Sequence, residues 1–486
     1  MADIQFPFPI PIILPLLPEI IVAVMAMVIL IWDLFLEQSR KQLTGYAAIA
    51  TCIVAGITTL NLSGPGAEEA FYGFFVLDPL ASLSKLLLYA GTILGIILSL
   101  DYMKTENNRG EYYCLMLFAL LGMMLMVSAA DFIIMYLGME LMALSVYVLV
   151  GYQRDVLRSS EAALKYFVLG ALSSGMLLYG ISFFYGLTGA TDFATVGEAL
   201  SHLDSSSRFA TMLGLVFLMA GMAFKVSAAP FHMWTPDAYE GAPTPITAFI
   251  STAPKVAGFV LFSRFLMDAL PPLAHDYSTI LTILAVLSLA IGNLAAIAQR
   301  SIKRMLAYST IGHAGFALLG LLAGSADGYA AILLYLSIYI VMNMGAFAII
   351  ILMRRDGIQG ELLDDFAGLA KARPGYGLAM GIFMFSLAGI PFMGGFWAKY
   401  AIFAALIDAG HITLAVIAVL FAAIGAFYYL RVVKYIYFDE QRVAFDFVEN
   451  RMMQATVAAA AIVIVILGIF PGPLMDICKA ALAGIV

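Results

Sequence analysis

Lys225 lies seventeen residues beyond the nearest upstream charge, Arg208, with only FATMLGLVFLMAGMAF between them. A charged amine at the centre of a membrane span costs roughly 2.5–3.5 kcal/mol on insertion scales, and such residues by default mark ion or proton pathways. Five residues later comes Pro230, in FKVSAAPFHMWTPDAYEGAPTP, followed by Pro236, Pro243 and Pro245. Proline removes an intrahelical hydrogen bond and frees carbonyls, and a broken helix beside a buried lysine is a transporter device. The plainer use of Lys225 is to be held by those carbonyls at an architectural kink. Glu140, in DFIIMYLGMELMALSVYVLVGY, stands nine residues after Asp131 and fourteen before Arg154, so it falls mid-helix. Paired with a lysine, it forms a unit whose proton affinity changes when the two groups separate. Its plainer use is a hydrogen bond to a neighbouring helix.

Other candidates carry two readings each. Lys255, in ITAFISTAPKVAGFVLF, follows Pro254 between Glu240 and Arg264, and Lys399 closes GIPFMGGFWAKY between Arg373 and Asp408. Both fit stations on a polar path, although Lys399 is close enough to a helix end to snorkel. Lys165 follows Glu161 by four residues, the favourable order for an ion pair on one helix face, so the two belong either to the path or to its mouth. Lys85, seven residues after Asp78, conducts or snorkels, while Glu19, behind Pro18 in LPLLPEIIVAVMAMVIL, suits the positive end of a helix dipole. His232 and His313 are suited to relaying protons or to structural hydrogen bonds. Five histidines scattered over the chain give no metal spacing. Gly170, Ser174 and Gly175 read as a small-residue packing face.

The elements that hold these residues must be membrane helices. Of 486 residues, 63% are hydrophobic and 12% charged, with mean hydropathy +0.97; soluble domains carry about a quarter charged residues. Apolar windows give about 14 spans, at 9–32, 43–61, 76–100, 112–128, 131–152, 158–186, 208–229, 243–267, 277–298, 302–323, 328–353, 376–407, 412–437 and 452–470. The fold class is thus an all-α polytopic membrane protein. The longest interval without a spanning pattern runs only from Gly186 to Arg208, so function must sit in the membrane. A net charge of −7 argues against a nucleic-acid partner, which calls for a basic face. Cys52, Cys114 and Cys478 have no paired spacing and point to no disulfide, zinc or iron–sulfur site. The start, MADIQFPFPIPI, lacks a basic n-region, so the first helix is expected to be retained.

Loop charge orients the spans, because short cytoplasmic loops accumulate Lys and Arg. Seventeen of 25 basic residues follow odd-numbered spans, among them Arg109, Arg158, Lys303, Arg304, Arg354, Arg355, Lys371, Arg373 and Arg442. The other side receives only Arg208, Arg264 and Lys479. Both termini are expected to face outward. AAPFHMW and AGIPFMGGFW share Pro-Phe followed by Trp, with their prolines 161 residues apart. Spans 4–8 and 9–13 therefore overlay as two five-helix units, each with a broken helix in fourth place, and an odd helix number forces inverted topology. The expected segments are 1–111, 112–270, 271–440 and 441–486.

The run FKVSAAPFHMWTPDAYEGAPTPITAFISTAPKVAGF, with GMELMALSVYVLVGY, SSEAALKYFVLGALSSGMLLYG and LPEI, resembles the antiporter-like N-subunit family of bacterial proton-pumping NADH:quinone oxidoreductase, respiratory complex I. The resemblance covers essentially the whole chain. It implies 14 helices, inverted repeats and proton translocation driven by redox chemistry elsewhere. Glu140 is similar to the family's helix-5 glutamate, Lys225 to its helix-7 partner, Lys255 to the connecting lysine of helix 8, and Lys399 to the residue of the second broken helix; Lys165 beside Glu161 matches a polar position in helix 6. No cofactor is implied in this chain; NADH, FMN, iron–sulfur clusters and quinone belong to partner subunits, and GxGxxG and P-loop motifs are absent. The implied partners are other complex I membrane subunits, especially a neighbouring antiporter-like subunit and a small membrane subunit, in a bacterial inner membrane. Multi-subunit cation/proton antiporters and membrane-bound hydrogenases share the Glu–Lys pair and the broken helix, so a subunit of one of these is the alternative, and a non-conducting scaffold is a third. LPEI, the ISTAPK setting of Lys255 and a close just after the last span favour the N subunit.

The charge asymmetry makes a direct prediction. A cysteine at position 360 labels from the cytoplasmic face of oriented vesicles; labelling from the outer face would overturn the span assignment.

Overall fold

A computed structural model describes residues 13–64, 66–104, 110–353, 360–441 and 450–483. The reading of MADIQFPFPIPI and the loop residues Arg109, Arg354, Arg355 and Arg442 lie outside the described residues. The helices are α1 (Leu17–Asp33), α2 (Gln42–Leu62), α3 (Pro79–Tyr102), α4 (Glu111–Val127), α5 (Phe132–Val150), α6 (Leu157–Thr188), α7 (Phe193–Ser201), α8 (Arg208–Lys225), α9 (Trp234–Gly241), α10 (Thr244–Asp268), α11 (Ala274–Ile297), α12 (Ile302–Leu322), α13 (Ala326–Leu352), α14 (Leu369–Ala372), α15 (Pro374–Ala388), α16 (Gly394–Asp408), α17 (Ile412–Phe438), α18 (Arg451–Ile469) and α19 (Gly472–Ala480). Among the described residues, twelve helices are long and apolar enough to cross a membrane; Glu111–Val127 and Pro374–Ala388 are shorter apolar helices.

Polar side chains at the turns set where helices begin. Asp78, Asp131, Asp192, Ser301, Ser325 and Asn450 each accept a hydrogen bond from a backbone N–H of the first turn that follows, satisfying a donor that has no intrahelical partner. A hairpin of β1 (Glu68–Ala70) and β2 (Phe75–Leu77) joins α2 to α3, with Glu68 opposite Leu77. The sequence reading missed these strands because three residues vanish in a window of about 20.

Two expected spans prove discontinuous. The interval 208–229 is helical only to Lys225, and the chain runs irregularly until α9. The interval 376–407 divides into α15 and α16, with Gly389 and Phe392 at positive φ between them. Pro230 and Pro391 stand in the two gaps, where each lacks the amide hydrogen a continuing helix needs.

At the centre lies α10, whose residues from Thr244 to Leu266 are all buried. It packs against α3, α4, α12 and α13. Close backbone approach elsewhere relies on glycine: a Cβ on Gly122 of α4 would stand 2.5 Å from the Met142 nitrogen and 2.6 Å from the Gly138 oxygen of α5. Small residues permit this spacing between membrane helices. Gly122→Val is expected to separate α4 from α5 at a cost of about 1–3 kcal/mol, read as a lower melting temperature in detergent. An unchanged melt would show that the contact is looser than described.

Candidate functional site

The first helix break gathers Glu140, Lys225, Lys255 and His232, half of the expected residues. Lys225, the last residue of α8, is buried, with its side chain 5% exposed, and its Nζ lies 3.9 Å from Glu140 Oε1 of α5. That is too long for a good hydrogen bond, and Lys225 Nζ has no hydrogen-bond partner among the described residues. Glu140 instead accepts from Ser174 Oγ of α6 at 2.5 Å. Its side chain is 25% exposed on the α5 flank. The carboxylate is therefore shared between an amine and a hydroxyl on two different helices.

Carbonyls freed by the break receive side-chain donors. Trp234 Nε1 donates to the Phe224 oxygen at 3.0 Å, and Lys255 Nζ of α10 donates to the Lys225 oxygen at 3.3 Å. Lys255 also donates to Ser227 Oγ, which accepts a second hydrogen bond from Thr235 at 2.8 Å. The Lys255 amine lies 4.7 Å from the centre of the Trp234 ring, within cation–π range. Ser227 has φ of +63°, a backbone region that favours glycine, so the hydroxyl is held by a strained turn. His232 sits half-buried in the same break, its Nδ1 without a hydrogen-bond partner among the described residues.

The second break is built differently. Lys399, on α16, reaches back to the Leu387 and Ala388 carbonyls at the end of α15, at 3.0 and 2.8 Å. Ser386 Oγ accepts from the Gly395 nitrogen at 3.0 Å, tying the two half-helices together. Lys399 is buried and lies 5.1 Å from the Phe316 ring, so it does not snorkel.

A hydrogen-bonded row runs from the neighbourhood of Lys255 towards His313, one turn from Phe316. Ser251, one turn before Lys255, accepts from Asn343 at 2.8 Å; Asn343 donates to Tyr339 at 3.1 Å, and Tyr339 pairs with Thr310 at 2.8 Å. One turn along α12, His313 bonds Tyr335 and, at 2.9 Å, Tyr429. Tyr429 pairs in turn with Ser309 at 2.5 Å. None of these hydroxyls was singled out in the sequence; serines and tyrosines in apolar helices are common, and only their convergence marks them.

Glu161 and Lys165 are not part of this buried row. Lys165 is 47% exposed and bridges Glu161 at 2.8 Å and Asp237 of α9 at 3.0 Å. They belong to a rim lattice in which Arg304 binds Asp237 and Glu240 at 2.9 and 2.7 Å, Arg158 binds Glu240 and Glu361, and Lys303 binds Glu361 at 3.0 Å. Lys303, counted as a loop residue in the sequence, is buried at the start of α12 and also donates to the Ala242 oxygen at 2.8 Å. Among the described residues no group of three or more His, Cys, Asp or Glu is placed to hold a metal ion.

Residues 129–425, which contain both breaks and all of the row between them except Tyr429, match the family described as NADH:quinone oxidoreductase/Mrp antiporter, TM. A protein of Thioalkalivibrio sulfidiphilus named NADH-quinone oxidoreductase subunit N is 46% identical over 98% of this chain and 99% of its own length. The chain belongs to the N-subunit family of NADH-quinone oxidoreductase. A chain of respiratory complex I from Thermus thermophilus with bound aureothin superposes on this N-subunit fold with TM-score 0.82 and 32% identity, over 96% of this chain and 100% of that one. A chain of the Mrp complex from a Dietzia species shares the fold alone, with TM-score 0.82 at 20% identity over 97% of both chains.

Ser227→Gly separates the turn from its hydroxyl. Glycine relieves the left-handed backbone but leaves Lys255 and Thr235 without their shared acceptor, and the net loss is expected to be about 1–2 kcal/mol, measured by thermal unfolding in detergent. A melt at or above wild type would show that the hydroxyl contributes nothing.

Proposed function

We propose that this chain is a proton-translocating membrane subunit of a bacterial inner-membrane NADH-quinone oxidoreductase, driven by electron transfer in partner subunits. The observation that carries the reading is the Glu140–Lys225 pair: a buried amine with a single carboxylate at 3.9 Å, and that carboxylate already holding Ser174 as a second partner. Two partners on two helices give Glu140 two resting places. Close to Lys225 it favours the charged amine; drawn towards Ser174 it favours release of the proton.

In this reading a proton from the cytoplasm reaches Lys225, passes to Lys255, whose amine already touches the Lys225 carbonyl, and continues along Ser251, Asn343, Tyr339 and Thr310 to His313 and Lys399. His232 lies beside the first transfer. Glu161 and Lys165, on the charged rim, collect protons at the entrance. Fourteen spans with both termini outside, and inverted units at 112–270 and 271–440 flanked by 1–111 and 441–486, are supported by the loop charges and by a broken helix fourth in each unit. The partners are other membrane subunits, among them a neighbouring antiporter-like subunit and a small one. Lipid does not solvate a carboxylate, so the flank exposing Glu140 calls for a protein neighbour. NADH, FMN, iron–sulfur clusters and quinone are assigned to partner chains. The three cysteines, the side chains an iron–sulfur cluster would call on, are buried on three different helices, α2, α4 and α19.

A double-mutant cycle tests the pair. Glu140→Ala and Lys225→Ala are each expected to reduce NADH-driven proton pumping and coupled NADH oxidation in assembled complex. The double variant is expected to be no worse than the worse single one, a departure from additivity of about 1.4 kcal/mol or more. Losses read as free energies require equal assembly in all four proteins. Strict additivity would mean that the two residues act separately, and full pumping in both single variants would remove them from the path.

A further inference from the structure

A second buried carboxylate–lysine pair lies outside the row just described. Glu19 of α1 was read from sequence as a dipole-favoured carboxylate and Lys85 of α3 as a lysine that either conducts or snorkels, yet both are enclosed, Lys85 completely, and Lys85 Nζ stands 2.7 Å from Glu19 Oε1. The lysine also lies 4.9 Å from the Phe75 ring. No donor other than Lys85 reaches either Glu19 oxygen among the described residues, and the neighbouring Ser82 and Ser84 hydroxyls have no hydrogen-bond partner there. Tyr89, one turn along α3 and within electrostatic reach of Glu19, pairs with Thr59 of α2 at 3.1 Å. Two buried hydroxyls without a partner beside an ion pair whose carboxylate meets no donor but the lysine are more than a helix-packing pin requires.

A third ionic group continues outward from this pair. Arg264 of α10, assigned from sequence to an outer loop, is instead buried within the helix and grips Asp78 with two hydrogen bonds of 2.9 and 2.8 Å. Its Nε donates to the Val127 oxygen at 3.2 Å. Asp268, the last residue of α10, lies within electrostatic reach of both Arg264 and Asp78, and both of these are within reach of Lys85.

The register of α3 on α10 places these groups in depth. Gly91 lies against Ala253 and Gly95 against Phe249, so the helices run antiparallel with those residues level. Counting 1.5 Å per residue, Lys85 lies roughly 6 Å outward of Lys255, and Arg264 roughly 8 Å outward of Lys85. The ionisable groups thus form steps from the middle of the membrane to the end of α10. Three carboxylates, Glu19, Asp78 and Asp268, face two cations, Lys85 and Arg264, so the group has one carboxylate in excess and can hold one extra proton.

We propose that Glu19 and Lys85 form an outward proton-release station, from which protons leave by way of Asp78, Arg264 and Asp268. A proton that turns outward at Lys255, a branch from the row that continues to Lys399, adds to the Glu19 carboxylate, giving a neutral acid beside the charged lysine. Its departure towards the Asp78–Asp268 end restores the ion pair. Nothing else is consumed, and Lys85 acts as a positioning residue that holds Glu19 ready to lose its proton again. This proposal rests on the transport reading above and on the outer placement of the α3 N-terminus.

The test uses the intact complex in inner-membrane vesicles, with Glu19→Gln, Glu19→Asp and Lys225→Ala compared at equal amounts of assembled enzyme. Glu19→Gln keeps the size and hydrogen-bonding reach of the side chain but cannot take up a proton. It is expected to lower NADH-driven pumping about tenfold or more, to remove a protonated-carboxyl band from the NADH-induced infrared difference spectrum, and to be largely rescued by Glu19→Asp. Wild-type pumping with an unchanged spectrum in Glu19→Gln overturns the proposal and leaves the pair as a structural pin. If Lys225→Ala abolishes pumping in that case, only the release station falls; if Lys225→Ala is silent as well, the transport reading falls with it. Should Glu19→Gln fail to assemble, the exchanged pair Glu19→Lys/Lys85→Glu restores opposite charges. Assembly with the carboxyl band retained supports the station, and assembly without the band overturns it.

Discussion

A bilayer supplies no solvent to satisfy a broken helix, and most of this structure follows from that. Each carbonyl that a proline or a positive φ releases must find a donor within the protein, because an unsatisfied group there costs several kcal/mol. In the first break the donors are the Trp234 indole and the Lys255 amine; in the second it is Lys399, which serves two carbonyls at once. The same lysines would be costly among apolar side chains. Break and charge therefore solve each other's problem, and the positions where backbone order fails are the positions where an amine can be kept.

The two breaks nevertheless do different work. Displacing the first by the 161 residues that separate its proline from the second puts Ser386 where Lys225 stands. The serine at 386 accepts from the Gly395 nitrogen and donates to Met342 Sδ of α13, a tie between helices rather than a charge. The amine of the second break comes instead from beyond the proline. The first break thus holds a carboxylate–amine pair, while the second offers an amine fixed by carbonyls with an imidazole nearby.

Much of this was legible in the sequence, because the bilayer makes composition and spacing strict. The positions of the apolar helices and both discontinuities followed from apolar length and from proline, whereas the pairing of Glu140 with Lys225 was implied by the resemblance to the antiporter-like subunits. What escaped were partnerships between distant helices. Lys85 resembled a snorkelling residue because its distance from Asp78 was visible, whereas its enclosure by α1 and α2 was not. Arg264 resembled a loop residue because α10 nears its end there, yet Asp78 lies 186 residues away in the chain. The rim lattice was hidden for the same reason, since Arg158 and Glu361 meet across 203 residues. Single-residue readings of charge fail where the compensating charge arrives from another helix.

The complete enclosure of α10 has a consequence for how the protein is made. A helix with no side facing lipid in the finished protein must pass through a stage at which it does, because α12 and α13, which cover it, are synthesised later. During that interval Lys255 and Arg264 depend on what has already been laid down: the Asp78 carboxylate at the start of α3 and the Lys225 and Ser227 oxygens at the end of α8. The oxygens of the early helices are thus the partners available to the charges of this span before the later half of the chain closes over them.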